Sequence, residues 1–439
     1  VGVNQVKLLL KGGFVVDPVR EVIDKQDLLV EEGKIAGLAP KISVEDAEIF
    51  DVTGCYVCPG FIDLHCHLRE PGEEHKETIA TGTRAAARGG FTAVVCMGNT
   101  NPPADNRAVI EFIKKRAAET GVVPVYPVGC ATKGRKGEEI SEIGDLVEAG
   151  AVALSDDGSS VMNSEVYRRV LEYSKMFDLF VISHCEDKNL SADGVVNEGL
   201  VSTILGLKGI PRAAEEVHVA RDIILAELTG ARLHIAHVSS GGSVRHIKEA
   251  KERGLRVTAE VTPHHLCLTE ELVKDYDTNA KVNPPLRTRE DVEALRQALK
   301  QGIIDVIATD HAPHSQEEKE VEFDYAPFGI SGLETAVPLL WDKLVHPGFL
   351  TPVELVQKLA LNPARILGLP ERVLAVGKEA AITVIAPDLQ KTVDVSSFVS
   401  LGKNSPLDGW TLRGWPVLTV VAGKPVMVDR DYFPSRERR

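Results

Sequence analysis

Short bursts of apolar, β-branched residues recur through the middle of the chain, at 60–67, 92–99, 122–131, 151–157, 179–186, 232–239, 256–265 and 305–311. Between most of them the apolar positions return every three or four residues, as at 108–119, 215–229, 242–253 and 290–301. The bursts predict buried strands and the intervening stretches predict amphipathic helices. Eight such alternations predict an α/β chain of the (β/α)8 TIM-type barrel class. Each burst begins apolar and ends polar: His65/His67, Asn99, Lys133, Asp157, His184, His237, His264/His265 and Asp310. Reactive groups of such barrels stand at the C-terminal ends of the strands, so the pattern predicts one mouth lined by His, Asp and Asn.

Both ends of the chain have a different texture. Residues 8–16, broken at Gly12-Gly13, residues 27–30 before the turn Glu31-Glu32-Gly33-Lys34, and residues 47–52 read as strands. So do 381–385, 414–421, and 425–428 after the turn Ala422-Gly423-Lys424. Neither end is long enough to bury a core alone. The expectation is a small β-sandwich domain assembled from 1–57 plus 375–439, flanking a barrel domain over 58–374. The Arg-containing tail 435–439 reads as a solvated end.

Charge narrows the function classes. With 50 Lys+Arg against 64 Asp+Glu the formal charge is -14, which argues against a nucleic-acid partner, since that partner needs a basic face. The longest stretch lacking Asp, Glu, Lys and Arg, 89–104, contains Pro102 and Pro103 and predicts no membrane span. No basic-then-apolar leader pattern opens the sequence. Seven scattered cysteines, an odd number, suggest free thiols and a reducing cytoplasm. Cys55 and Cys58 form a CxxC, but no second pair stands at zinc-ribbon spacing, so they read as small strand residues.

Histidine carries the chemistry. His65 and His67 are two apart on a strand and therefore share a face, where both imidazoles can reach one metal ion. His184 and His237 close two further apolar bursts, placing four imidazoles at the same end of three strands. In Ser155-Asp156-Asp157-Gly158, period two sends Asp157 toward the barrel axis with Ala153 and Ser155, leaving Asp156 as a supporting or capping residue. Asp310 closes the eighth burst, where a carboxylate can bind metal and also carry a proton between water and a leaving nitrogen. Such a His/Asp set suits zinc and, less selectively, other first-row divalent ions.

The run Gly60-Phe61-Ile62-Asp63-Leu64-His65-Cys66-His67-Leu68-Arg69-Glu70-Pro71-Gly72 and the segment 308–314 closely resemble the two signatures of dihydroorotases in the amidohydrolase superfamily. The resemblance continues through Asn99-Thr100-Asn101-Pro102, residues 155–158, His184-Cys185-Glu186-Asp187, residues 260–266 and Asn283-Pro284-Pro285-Leu286-Arg287, and is nearest to the bacterial long-chain class. It implies reversible, zinc-dependent cyclisation of N-carbamoyl-L-aspartate to L-dihydroorotate, a step of pyrimidine synthesis. His65, His67, Asp157, His184 and His237 would hold one or two zinc ions, with Asp310 both ligand and general acid/base. Arg69, Asn99 and His314 would grip the substrate carboxylate, and Asn283 the ring or ureido group. A planar guanidinium fork suits a carboxylate, and an amide side chain suits an amide-bearing ring.

The chain departs from the family pattern at Gly98, where Pro is usual, at Glu70, where Asp is commoner, and at Ala381, where Asp is usual. Asp157 stands where hydantoinases generally carry a carbamylated lysine, which leaves the metal count open. The Glu-rich segment 315–329 reads either as a lid that orders over bound substrate or as a plain solvated loop. Beyond the small-molecule substrate, a homodimer is expected from symmetry statistics, and the resemblance suggests association with aspartate transcarbamoylase. Two rivals stand beside this reading. A hydantoin- or allantoin-type cyclic-amide hydrolase would not need the anion grip of Arg69, Asn99 and His314. A non-catalytic assembly subunit would have lost metal histidines or the eighth-strand Asp.

Overall fold

The first five strands of the computed structural model lie ahead of the barrel: β1 (Lys7–Asp17), β2 (Val22–Glu31), β3 (Lys34–Ala39), β4 (Ala47–Asp51) and β5 (Tyr56–Pro59). Residues 7–434 are described, together with the backbone of Glu437–Arg438. Every one of the eight central bursts then contributes a barrel strand. They are β6 (Phe61–Cys66), β7 (Phe91–Cys96), β8 (Val125–Gly129), β9 (Ala153–Leu154) and β10 (Phe180–Ser183). After a small parallel pair, β11 (Val196–Asn197) and β12 (Gly209–Ile210), come β13 (Arg232–Ile235), β14 (Val257–Val261) and β15 (Val306–Ile307). The eight pair in parallel in chain order from β6 to β15.

Side-chain parity sorts the barrel core. Ile62, Leu64, Ala93, Val95, Ala153 and Ile182 fill the interior, while Phe61, Val94, Leu154 and Val181 pack outward with the helices. A sheet covered on both faces needs such continuous apolar runs. Four surrounding helices fall within three residues of the predicted stretches, at Arg107–Thr120, Arg212–Thr229, Gly241–Glu252 and Arg289–Lys300. Asn106, Ser240 and Thr288 start three of them, each accepting a bond from a first-turn amide.

The seam between β15 and β6 closes through side chains as well as backbone. The Asp310 amide donates to His65 O at 2.9 Å and the His67 amide to His311 O at 2.8 Å. The buried Asp63 carboxylate accepts from the Thr309 amide at 2.7 Å and from its hydroxyl at 2.6 Å. Metal-site candidates from the first and last strands are therefore held in register by the seam itself.

The two ends of the chain build one hydrogen-bonded sheet, as the matching texture predicted. It continues with β16 (Ile382–Thr392), β17 (Thr411–Val421), β18 (Lys424–Val428) and β19 (Glu437–Arg438). Its order is β18-β17-β16-β5-β1-β2-β3, with β4 joined to β1 and β19 to β4. The N- and C-terminal arms meet where β5 pairs antiparallel with β16. Leu8, Leu28, Val57, Ile382 and Val417 share one core. The Gly12-Gly13 break is a register shift, with the Gly12 amide bonded to Asp27 Oδ1 at 2.8 Å. Strand β16 runs well past its expected apolar segment, because its distal half alternates half-buried and exposed positions without an apolar run, whereas β17 starts only three residues early, with Leu412 buried. The side chains of the tail 435–439 fall outside the described residues.

No helix among the described residues is long and apolar enough to cross a membrane. Replacing Asp63 with Ala leaves two buried Thr309 donors unpaired, and is expected to cost about 3 kcal/mol of unfolding free energy, with Asp63→Asn costing less. Denaturant unfolding of the two variants measures the difference.

Candidate active site

Polar residues at the ends of six of the eight strands turn into a common mouth, which Lys133 after β8 and His264/His265 after β14 do not line. His65 is in β6 and His67 follows it, His184 follows β10, His237 lies just past β13, and Asp157 and Asp310 follow the short strands β9 and β15. Asp157 stands at the centre. Its Oδ1 lies 3.4 Å from His65 Nε2 and 3.6 Å from both His184 Nδ1 and His237 Nε2, and its Oδ2 lies 3.5 Å from His67 Nε2. Asp310 Oδ1 is 3.1 Å from His67 Nε2 and 3.6 Å from His65 Nε2. Arg69, His237 and Asp310 sit at φ 60°, 31° and 47°, a left-handed backbone that costs about 1 kcal/mol or more per residue and concentrates at functional sites.

Hydrogen bonding behind the imidazoles fixes which nitrogen faces inward. His65 Nδ1–H donates to Glu260 Oε1 at 2.6 Å, and His67 Nδ1–H donates to Asn99 Oδ1 at 2.8 Å. Their Nε2 atoms are left to present lone pairs toward the carboxylates of Asp157 and Asp310. Facing acceptors at that range repel unless a cation lies among them. His65 Nε2 and Asp157 Oδ1 are both buried with no hydrogen-bond partner. The ligand atoms of His65, Asp157 and His237 lie within 4.8 Å of one another, and so do those of His65, His67 and Asp310. The nitrogen and oxygen donor set therefore fits one or more divalent ions. Burial alone would raise the Asp310 carboxyl, but His65 and His67 outweigh it and hold the group well below the ordinary carboxylate range.

Glu260 and His234 escaped the sequence reading. The Glu260 carboxylate is fully buried; it accepts from His65 Nδ1, from His234 Nε2 at 3.1 Å and from the His237 amide at 3.2 Å. Burial would raise its carboxyl, yet His65 and His234 together carry it down to about 2. A lone acid inside the apolar run of β14 was the available signal. Glu186 was quoted only as part of a motif. Its Oε2 takes His184 Nε2 at 3.1 Å, Asn283 Nδ2 at 3.0 Å and the Lys188 ammonium.

A cavity of about 310 Å³ opens above this cluster, lined by nearly all of the sequence candidates: His67, Arg69, Asn99, Asp157, His184, His237, Asn283, Asp310 and His314. His65 lies beneath it. Asn99 spends its oxygen on His67, which leaves its amide hydrogens for the cavity. The buried Arg69 donates through Nε to Pro313 O at 3.2 Å, and its nearest carboxylate, Glu73, is 3.8 Å away. His314 Nε2–H donates to Phe328 O at 2.9 Å, with Arg69 Nη2 3.3 Å from the same nitrogen.

Several other candidates serve the frame. Asp156 accepts from Thr132, apart from the cluster. His265 bridges Thr262 Oγ1 at 2.8 Å and Pro284 O at 2.9 Å, bracing the Asn283 turn. His311 faces Glu77 at 3.2 Å. Lys133 pairs with Glu139 on the surface. The segment 315–329 starts with a one-turn helix, Gln316–Lys319, and brings Pro327, Phe328 and Gly329 to the cavity wall.

Known proteins agree with the geometry. Residues 54–243 match a family model described as Dihydro-orotase-like. The chain is 60% identical to a dihydroorotase of Pelotomaculum thermopropionicum over 97% of its own length and 99% of that protein's. The chain belongs to the dihydroorotase family. A dihydroorotase of Syntrophus aciditrophicus is 54% identical, with 96% of this chain and 99% of that protein covered. Among solved structures, an L-hydantoinase (dihydropyrimidinase) from Arthrobacter aurescens superposes with a TM-score of 0.87 at 27% identity, covering 96% of each chain. Dihydroorotase-family membership makes the chain a cyclic-amide hydrolase and bears out the barrel architecture. It sets aside the assembly-subunit rival.

Metal-bound histidines depend on the groups that orient them. Glu260→Gln is expected to weaken retention of divalent metal about 10- to 100-fold while the protein stays folded. Competition with a buffered zinc chelator, alongside circular dichroism, gives the comparison.

Proposed function

We propose that this dihydroorotase-family chain interconverts N-carbamoyl-L-aspartate and L-dihydroorotate as a step of pyrimidine synthesis. It uses one or two zinc ions held by His65, His67, Asp157, His184, His237 and Asp310. The observation that carries the reading is the pairing, across one small cavity, of a cation-ready His/Asp cluster with a buried arginine whose ion pair with Glu73 is a long one, at 3.8 Å. A neutral ring would gain nothing from such an arginine.

When bound, zinc supplies a Lewis acid for the ring amide and acidifies water. The protein side chains do the rest. The Arg69 guanidinium binds the substrate carboxylate as a planar fork, and burial strengthens the pairing. Asn99 donates to the same carboxylate through its free amide hydrogens, and His314 packs beside Arg69 to complete the grip. Asn283, with its Nδ2 engaged by Glu186, offers Oδ1 to a ring or ureido N–H. Asp310 is kept ionised by its imidazole neighbours, so its carboxylate can accept a proton from the attacking water and pass it to the departing ring nitrogen. In the cyclising direction the same carboxylate removes a proton from the ureido nitrogen as it attacks the side-chain carboxyl, and returns it to the departing carboxyl oxygen, which leaves as water.

The proposal also includes division into a terminal β-sandwich domain, 1–57 plus 375–439, and a barrel domain, 58–374. It places the enzyme in the cytoplasm, which seven unpaired cysteines suit, as a homodimer able to associate with aspartate transcarbamoylase.

Zinc-loaded protein is expected to hydrolyse L-dihydroorotate and to leave hydantoin and dihydrouracil essentially untouched; turnover confined to the neutral rings overturns the reading. Asp310→Ala is expected to lower kcat by about 10³-fold while some metal is retained. Arg69→Ala is expected to raise KM for dihydroorotate about 30-fold with a smaller change in kcat, as loss of one charge-assisted contact implies. Steady-state kinetics with parallel metal analysis separate these roles.

A further inference from the structure

Two lysines behind the cavity wall have no part in the chemistry above. Lys281 and Lys319 are both buried, and neither forms an ion pair among the described residues. Lys281 Nζ donates to Phe323 O at 2.7 Å and Asp324 O at 3.1 Å, and it lies 5.4 and 4.7 Å from the ring centroids of Phe323 and Phe328. Lys319 Nζ donates to Thr278 O at 2.8 Å and Pro327 O at 2.7 Å. Three of these four carbonyls belong to a five-residue stretch, 323–327. The stretch leads directly into the wall residues Phe328 and Gly329, and the Gly329 amide in turn donates to Lys281 O at 2.9 Å.

Asn404 Nδ2, which donates to Gly329 O at 2.9 Å, and the packing of Phe323 against Tyr276 are further long-range ties on this strip. Val321 and Tyr325 are exposed, and only Phe323 and Ala326 bury apolar surface within 320–326. Two like charges are thus buried side by side, and burial, aided for Lys319 by the Lys281 charge, pushes Lys319 down to about 7 and Lys281 down to about 8. A fold keeps buried ammonium groups only where their hydrogen bonds return the desolvation cost. Here the return is a fixed backbone. That backbone carries the Phe328 carbonyl, which accepts from His314 Nε2 at 2.9 Å and so sets the ring's orientation.

We propose, on the reading that His314 meets the substrate carboxylate, that Lys281 and Lys319 are positioning residues: their ammonium groups clamp the 323–329 strip, and the strip holds His314 and the Phe328 wall in place for an anionic ring. The strip is then a standing part of the binding site that precedes substrate, in contrast to a lid that substrate must order.

The test uses full-length zinc-loaded protein and the variants Lys319→Met, Lys281→Met and His314→Ala. KM and kcat for L-dihydroorotate, bound zinc, and chymotryptic cleavage within 323–328 are measured on each. The lysine variants are expected to raise KM about tenfold with kcat within about threefold and zinc content unchanged. Cleavage of the strip is expected to accelerate about tenfold in the absence of substrate. Should one lysine variant fail to fold, the other reads the same quantities. A KM unchanged in a folded lysine variant overturns the proposal, whether or not cleavage accelerates. A normal KM in His314→Ala overturns the carboxylate reading and the route through His314. A raised KM there, with normal values in the lysine variants, overturns the lysine proposal alone.

Discussion

Everything at the mouth of this barrel depends on one electrostatic problem: two buried carboxylates, Asp157 and Asp310, converge on four imidazoles, three of which have their other nitrogen taken by Glu260, Asn99 or Glu186. Asp157 alone lies within 3.6 Å of all four. A carboxylate is costly to bury without positive charge or donors around it, and here the Nε2 atoms of His65 and His67 point lone pairs at it. The arrangement is consistent only around a cation. Ordinary packing would have filled the same space with leucine and valine, as it does one layer further down the barrel.

Support for that arrangement comes from a second ring of acceptors. Glu260 holds His65, Asn99 holds His67, and Glu186 holds His184. Each bond selects the tautomer of its imidazole, and each comes from a different strand end. Asn99 and Glu186 also touch the substrate side of the cavity, Glu186 through Asn283. The cation-facing cluster and the substrate-facing groups are therefore mechanically one unit, so a displacement on either side is felt on the other.

The comparison with hydantoinase structures separates fold from chemistry. A superposition over 96% of both chains at 27% identity describes a shared scaffold, and scaffolds of this kind carry many reactions. The superposition leaves open which groups line the mouth. Arg69, reached through a left-handed backbone, and Asp157, at the end of a two-residue strand, are local features that a superposition of backbones does not weigh.

Much of the molecule was legible in one dimension because periodicity is a local property. Strand after strand announced itself as an apolar burst, and the change from apolar to polar along each burst marked which end of the barrel would carry chemistry. Period two was sufficient to prefer Asp157 over Asp156, since Ala153 and Leu154 had to face opposite sides of the wall. The polar half of β16 was not legible, because a solvent-exposed ribbon has no apolar period to read. Contacts between distant residues were legible only as candidates. That Glu260 sits behind His65, that Glu186 ties His184 to Asn283, and that Lys281 and Lys319 grip the main chain of 323–327 are facts of closure. They arise when residues tens or hundreds of positions apart are brought within 3 Å, and no spacing along the chain encodes that distance. The amino-acid order thus determined the barrel, the end of it that carries the chemistry and the residue types available there. Only the tertiary structure decided which nitrogen each imidazole turns inward and which backbone each buried charge holds, because both depend on partners supplied by other strands.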